Sequence, residues 1–229
     1  MQWEQAAYRE VVQGYRKRDA CIAILIFSVQ MGILFGQGWL YTTDLPLLLM
    51  ASLNLITALV NMGMALGVVW LSSRRELGLH RLYLGKSIAM GILLAGVLLA
   101  SLLAVQMGVY HHTLHFNPLS WLNVVVFTVG VLNEELFFRG IIQTRLRGLL
   151  PWGWVCSVVT AGLFLLSHYP VYWGAGGSVG FSNIAPVHAI YIFLLHFFCS
   201  SVYRRTNCLW GAMALHLVYN MGTAMMGFA

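Results

Sequence analysis

Seven apolar stretches of about 20 residues, at roughly 20–40, 46–71, 86–109, 120–147, 152–169, 183–203 and 207–227, take up most of this 229-residue chain. Each has the length a helix needs to cross about 30 Å of hydrocarbon. Within hydrocarbon no water satisfies backbone N–H and C=O groups, so a spanning segment must pair them within itself or in a closed barrel. Long continuous apolar runs select the helix. Charged residues make up only 9% of the chain, against about 25% in soluble domains. The sequence thus predicts an all-α polytopic membrane bundle of about seven transmembrane helices, forming a single domain over residues 1–229. The first run, from Ala20 to Leu40, is too long for a signal-peptide core and lacks a small-residue cleavage site, so it reads as a retained helix.

Charge is distributed asymmetrically between the connectors. Arg9, Arg16, Lys17 and Arg18 precede the first run, and Arg74, Arg75, Arg81 and Lys86 follow the second. Arg145 and Arg147 end the fourth, and Arg204 and Arg205 follow the sixth. The connectors after runs one, three and five hold no Lys or Arg. The positive-inside rule places residues 1–19 in the cytoplasm and the C-terminus outside. The net charge of +6 is therefore topological and predicts no nucleic-acid partner. Cys21, Cys156, Cys199 and Cys208 show neither CxxC spacing nor a disulfide framework and read as small buried side chains.

Against this background Glu134 and Glu135 are exceptional. They lie inside the fourth run, whereas Glu4, Glu10, Asp19, Asp44 and Glu76 sit at the N-terminus or in connectors. A charge at the centre of a spanning helix costs roughly 2.5–3.5 kcal/mol on insertion scales. Glu135 and Arg139 are four apart and share a helical face, so their pairing offsets both burials. Glu134 is turned about 100° away and is a candidate general base or acid. A structural ion-pair network is the alternative role for the whole set.

Two further intramembrane polar sets follow. Phe164 and His168 lie in the fifth run, and His216 and Asn220 share one face of the seventh. If the fourth run continues as a long, tilted or kinked helix to Arg147, the three sets reach similar depths. Counting helix rise, Glu134 is about 20 Å from Arg147, His168 about 24 Å from Trp152 and His216 about 16 Å from Arg205. Other histidines carry weaker signals. His111, His112 and His115 form a solvated outer loop with potential metal spacing, His188 and His196 read as packing or lining residues, and His80 has no evident role. Residues 174–180 (GAGGSVG) form a flexible outer loop without the strand and helix context of a phosphate loop.

In order, these sets read Glu134-Glu135-xxx-Arg139, Phe164-xxx-His168 and His216-xxx-Asn220, with His168 34 positions after Glu134. They resemble the signature of the CAAX-protease and bacteriocin-processing (Abi, Rce1-like) family of intramembrane proteases. Phe137-Phe138-Arg139-Gly140, Asn207-Cys208-Leu209-Trp210 and the Arg-Glu-Leu-Gly-Leu stretch at 75–79 add to it, and the resemblance covers roughly residues 72–225. It implies a glutamate-dependent endopeptidase whose catalytic helices span about 120–227. Glu134 would activate water, and His168 would share or orient the proton. His216 and Asn220 would stabilise the oxyanion, while Glu135, Arg139 and Phe164 would support the motif. The implied substrate is a membrane-associated peptide or protein, and the implied location is a prokaryotic plasma membrane. No cofactor is expected; zinc, if used, would fall to Glu134, His168 and His216. Some relatives are non-proteolytic immunity or scaffold proteins, which is the alternative reading. A proton or solute transporter is a third, and it lacks the expected inverted repeat.

Overall fold

The computed structural model describes residues 4–43, 47–72, 77–79, 83–176 and 179–228. Asp44, Arg74, Arg75, Glu76, His80 and Arg81 of the connectors lie outside the described residues, as do residues 177 and 178 of the glycine-rich loop. Helices fill each apolar run. They are α2 (Lys17–Leu40), α3 (Leu47–Leu71), α4 (Leu84–Gly108), α5 (Trp121–Glu135), α7 (Gly153–Ser167) continuing into α8 (Tyr169–Gly174), α9 (Pro186–Thr206) and α10 (Leu209–Met225). Among the described residues α2, α4, α7–α8 and α9 are each long and apolar enough to cross a membrane by length and composition. The solvent preference of the surface agrees. Leu25, Leu59, Trp70 and Leu93 point outward, while Asn61, Glu135, Arg139, Gln143 and Arg145 are buried. This is an integral membrane helical bundle with its polar groups inside.

The bundle closes around two apolar clusters. One joins α4, α9 and α10 through residues such as Leu98, Leu195 and Leu215. The other joins α2, α3, α7 and the segment after Glu135 through Phe27, Val68, Phe138 and Phe164. Helices α4 and α10 run parallel and very close. A Cβ on Gly91 would overlap the Gly211 carbonyl, and one on Gly211 would overlap Ser87, so both positions require glycine.

The basic connectors meet at one end of this bundle. Glu4 bridges Arg147 at 2.9 Å and Arg204 at 3.6 Å. Ser87 at the start of α4 shares a hydrogen bond with Thr206 at the end of α9, at 3.0 Å. The opposite end carries a two-stranded antiparallel sheet, β1 (Leu114–Phe116) with β2 (Met226–Phe228), which ties the connector after α4 to the end of the chain.

The N-terminal segment is more ordered than its polar composition suggests. Residues Ala6–Gln13 form α1, whose Tyr8, Val11 and Val12, with Tyr15 beyond, are buried. Their i, i+3, i+4, i+7 spacing is an apolar helical stripe within a charged sequence. Tyr8 packs edge-on against Tyr203 at 5.2 Å, and the Gln5 N–H donates to the Arg204 carbonyl at 3.0 Å.

The fourth run is helical almost to Arg147, as expected, but it is not one α-helix. After Glu135 the backbone widens into a π-helix, Leu136–Gln143, and returns to α geometry in α6 (Thr144–Leu146). A wide turn displaces carbonyls from their usual partners. Thr144 Oγ1 donates to the Gly140 carbonyl at 2.9 Å, and Arg145 Nη1 donates to the same oxygen. Arg145 Nε donates to Ser72 Oγ at 3.0 Å, and its guanidinium lies over the Tyr15 ring at 4.8 Å. Arg145 thus ties the wide turn to α3 and to the N-terminal segment. Arg145→Ala should cost about 2–4 kcal/mol, since hydrogen bonds from charged groups are worth roughly 1.5–3 kcal/mol each. A lowered thermal midpoint in detergent checks it, with an unchanged midpoint as the contrary result.

Candidate active site

The last turn of α5 places two adjacent carboxylates in different surroundings. Glu135 is fully buried, whereas the Glu134 side chain is 37% exposed. Each Glu135 oxygen faces a basic group, one through a hydrogen bond and the other through an ion pair. Its Oε1 accepts from His216 Nδ1 at 2.8 Å, and its Oε2 lies 3.3 Å from Arg139 Nε. Arg139 in turn donates from Nη2 to the His196 carbonyl at 2.9 Å. One carboxylate therefore joins α5, the π segment, α9 and α10. The expected Glu135–Arg139 pair is present, and Glu135 additionally anchors a histidine.

His216 stands between the two carboxylates. Its Nδ1 faces Glu135, and its Nε2 lies 3.5 Å from Glu134 Oε2. A carboxylate only accepts, so Nδ1 carries a proton toward Glu135. Nε2 then presents a lone pair in the neutral ring or a second N–H in the imidazolium.

His168 ends α7, and its Nδ1 lies 3.0 Å from the Phe164 carbonyl of the preceding turn. A carbonyl only accepts, so this bond fixes the proton on Nδ1 and leaves Nε2 as an acceptor. The motif phenylalanine acts through its ring as well as its carbonyl. Phe164 is buried, meets His168 edge-on at 4.6 Å, stacks on His196, and lies 6.1 Å from the His216 ring. Arg139 lies over the same ring at 5.9 Å. Phe164 is thus the apolar wedge that separates and orients the polar groups of three helices.

Glu134, His168, His216 and Asn220 all line one cavity of about 410 Å³. Gln106 of α4, His188 and Tyr191 of α9 and Thr223 of α10 complete its polar wall. The three sequence sets therefore converge, as their matched depths required. The cavity holds both carboxylate and imidazole groups and an amide, which is the inventory for acid–base chemistry beside a charge-stabilising pocket.

The metal-capable set differs from the expected one. Among the described residues, the group whose ligand atoms lie within 4.8 Å of one another is Glu134, His196 and His216. His168 is not in it. A His₂Glu donor set suits zinc, so these three residues could hold a divalent ion. His196, read from sequence as a packing residue, is fully buried with neither ring nitrogen hydrogen-bonded. Its only sequence signal is that it is an ionisable side chain within an apolar run. His111, His112 and His115 do not gather; His112 bonds Gln106 and His115 bonds Thr113, all in exposed positions. Part of the 75–79 stretch is described. Gly78 has φ +73° and packs against Tyr203, and its carbonyl accepts from the Leu209 N–H at 2.9 Å, which seats the start of α10.

A family model described as type II CAAX prenyl endopeptidase Rce1-like matches residues 115–222, which contain all three motif sets. No curated protein and no solved structure matches the chain.

The double role of Glu135 has a testable consequence. Glu135→Ala leaves Arg139 buried without its counter-charge, and breaking a buried pair from one side costs about 3–5 kcal/mol. Glu135→Leu with Arg139→Met should regain most of that stability and still leave His216 unanchored. Thermal unfolding of the single and double variants measures this; equal stability of both would refute the coupling.

Proposed function

Through residues 115–222 this chain belongs to the Rce1-like family of type II CAAX prenyl endopeptidases, and from that premise we propose that it is an intramembrane endopeptidase using Glu134 as general base. The observation that carries the reading is the contrast within the Glu pair. Glu135 is sealed between His216 and Arg139, while Glu134 reaches a cavity shared with His168, His216 and Asn220. The substrate is a peptide bond of a membrane-associated peptide or protein, and the enzyme resides in a prokaryotic plasma membrane.

In this mechanism a water sits between Glu134 and His168. Glu134 takes one proton as the water oxygen attacks the scissile carbonyl carbon. His168 Nε2, held as an acceptor by the Nδ1 bond to Phe164, orients the second O–H. Negative charge develops on the carbonyl oxygen, and the Asn220 amide and the His216 Nε2–H donate to it. His216 can donate there while still bound to Glu135 only as the imidazolium. Glu135 stabilises that form, and Arg139 offsets the remaining charge of the carboxylate. Glu134 then passes its proton to the leaving amine as the C–N bond breaks. Preorganised donors of this kind are most effective where water is excluded.

Glu134→Gln removes the base and keeps the shape. General acid–base catalysis contributes about 10²–10⁴-fold, so cleavage should fall by at least that much with folding unchanged. The measurement compares peptide termini from cells carrying wild type or Glu134→Gln; a terminus present only with wild type identifies product and substrate. Identical termini, with the native phenotype supported by both forms, would instead favour the immunity or scaffold role. Chelators should leave cleavage unchanged. Loss of activity on chelation, restored by zinc, would replace this mechanism with one in which Glu134, His196 and His216 hold a metal.

A further inference from the structure

We infer that the cavity receives its polypeptide from the membrane face opposite the arginine clusters, that is, from the non-cytoplasmic side. The inference rests on the protease reading above and adds to it the side of access and hence the class of substrate. Every Lys and Arg except Arg139 belongs to the four connector clusters. Those described meet at one end of the bundle, through the Glu4 bridges to Arg147 and Arg204 and the Ser87–Thr206 contact. By the positive-inside rule that end is cytoplasmic.

The cavity extends toward the other end. Gln106 lies two residues before the end of α4, about 33 Å along the helix from Leu84 at ~1.5 Å per residue. Ala185 and Val187 lie where α9 begins, and Thr223 lies in the last turn of α10. No Lys or Arg lines the cavity. At this end Gln106 Oε1 lies 2.9 Å from His112 Nδ1 of the exposed connector after α4, the connector that also carries β1.

The arginine end has a cavity of its own, about 940 Å³ and lined by Glu4, Arg147 and Arg204, but none of Glu134, His168, His216 and Asn220 lines it. The π segment that follows Glu134 is closely packed. Phe137, Phe138, Ile141 and Ile142 of the π segment are buried, together with Arg139, Gln143 and Arg145. A cytoplasmic tail would have to part this packing and the Glu4 bridges to reach Glu134. A segment already across the membrane enters where the cavity opens. The fitting substrate is the outer juxtamembrane stretch of an anchored protein or peptide, cleaved where it meets the bilayer, rather than a cytoplasmic C-terminus.

Orientation and proteolysis are tested separately. Ala185 and Lys17 are exposed at opposite ends, and Cys21 is the exposed native thiol among the described residues. In a Cys21→Ser background, Ala185→Cys should react with a membrane-impermeant maleimide in intact cells as fully as after permeabilisation. Lys17→Cys should react only after permeabilisation. The reverse pattern overturns the inference whatever the protein cleaves. In the second arm, termini that depend on Glu134 should map to outer juxtamembrane segments. Termini within cytoplasmic segments overturn the access side even if proteolysis is established. Outward labelling with no Glu134-dependent terminus overturns the substrate class through failure of the protease reading, with the orientation of the cavity established by itself.

Discussion

The site depends on one buried carboxylate. Glu135 has lost its water and must replace it, because the effective penalty for burying an ion is several kcal/mol. It does so with the His216 imidazole and the Arg139 guanidinium, and Arg139 extends the connection to the backbone of α9. The same bonds that stabilise the charge fix the angular relation of α5, α9 and α10. Glu134, its neighbour, is rotated by one residue into the cavity and spared from structural bonding. Two chemically identical side chains thus take different surroundings by position on a helix, and the catalytic role proposed for Glu134 rests on that difference.

The π segment enables this arrangement. It begins directly after Glu135 and carries Phe138, Arg139 and Gln143 into the interior. π-bulges occur often at functional sites because they redirect side chains without ending a helix. The open carbonyl at Gly140 is compensated by Thr144 and Arg145, both contributed by the following turn. Arg145 also reaches Ser72 and Tyr15, so the geometry of the Glu-pair helix is coupled to α3 and to the docked N-terminal segment. Phe164 supplies the matching apolar contact from α7, touching the histidines of three helices at once.

Much of this was legible in the chain. Apolar runs, connector charge and the rarity of intramembrane carboxylates pointed to the bundle, its polarity and the Glu pair. Spacings of four identified Glu135–Arg139 and His216–Asn220 because one helical turn is a local rule. Helix rise correctly grouped Glu134, His168 and His216 by depth. The π segment was not legible, since Leu136–Gln143 has ordinary helix-forming residues and its widening depends on partners in α3 and α6. His196 was not legible as a neighbour of the site, since a single histidine in an apolar run carries no azimuth. The docking of α1 was hidden by charged residues around a short apolar stripe.

The sequence by itself determined the number and length of the apolar runs, the charged end of the bundle and the identities of the polar groups placed in its interior. It could do so because the hydrocarbon solvent acts on each segment separately and penalises every stray charge where it stands. The tertiary structure alone decided which histidine faces which carboxylate, that His168 is tied to its own helix while His196 approaches Glu134, and which residues line the cavity. Those outcomes depend on the rotation of each helix about its axis and on packing between distant segments, and spacing along one chain does not encode either.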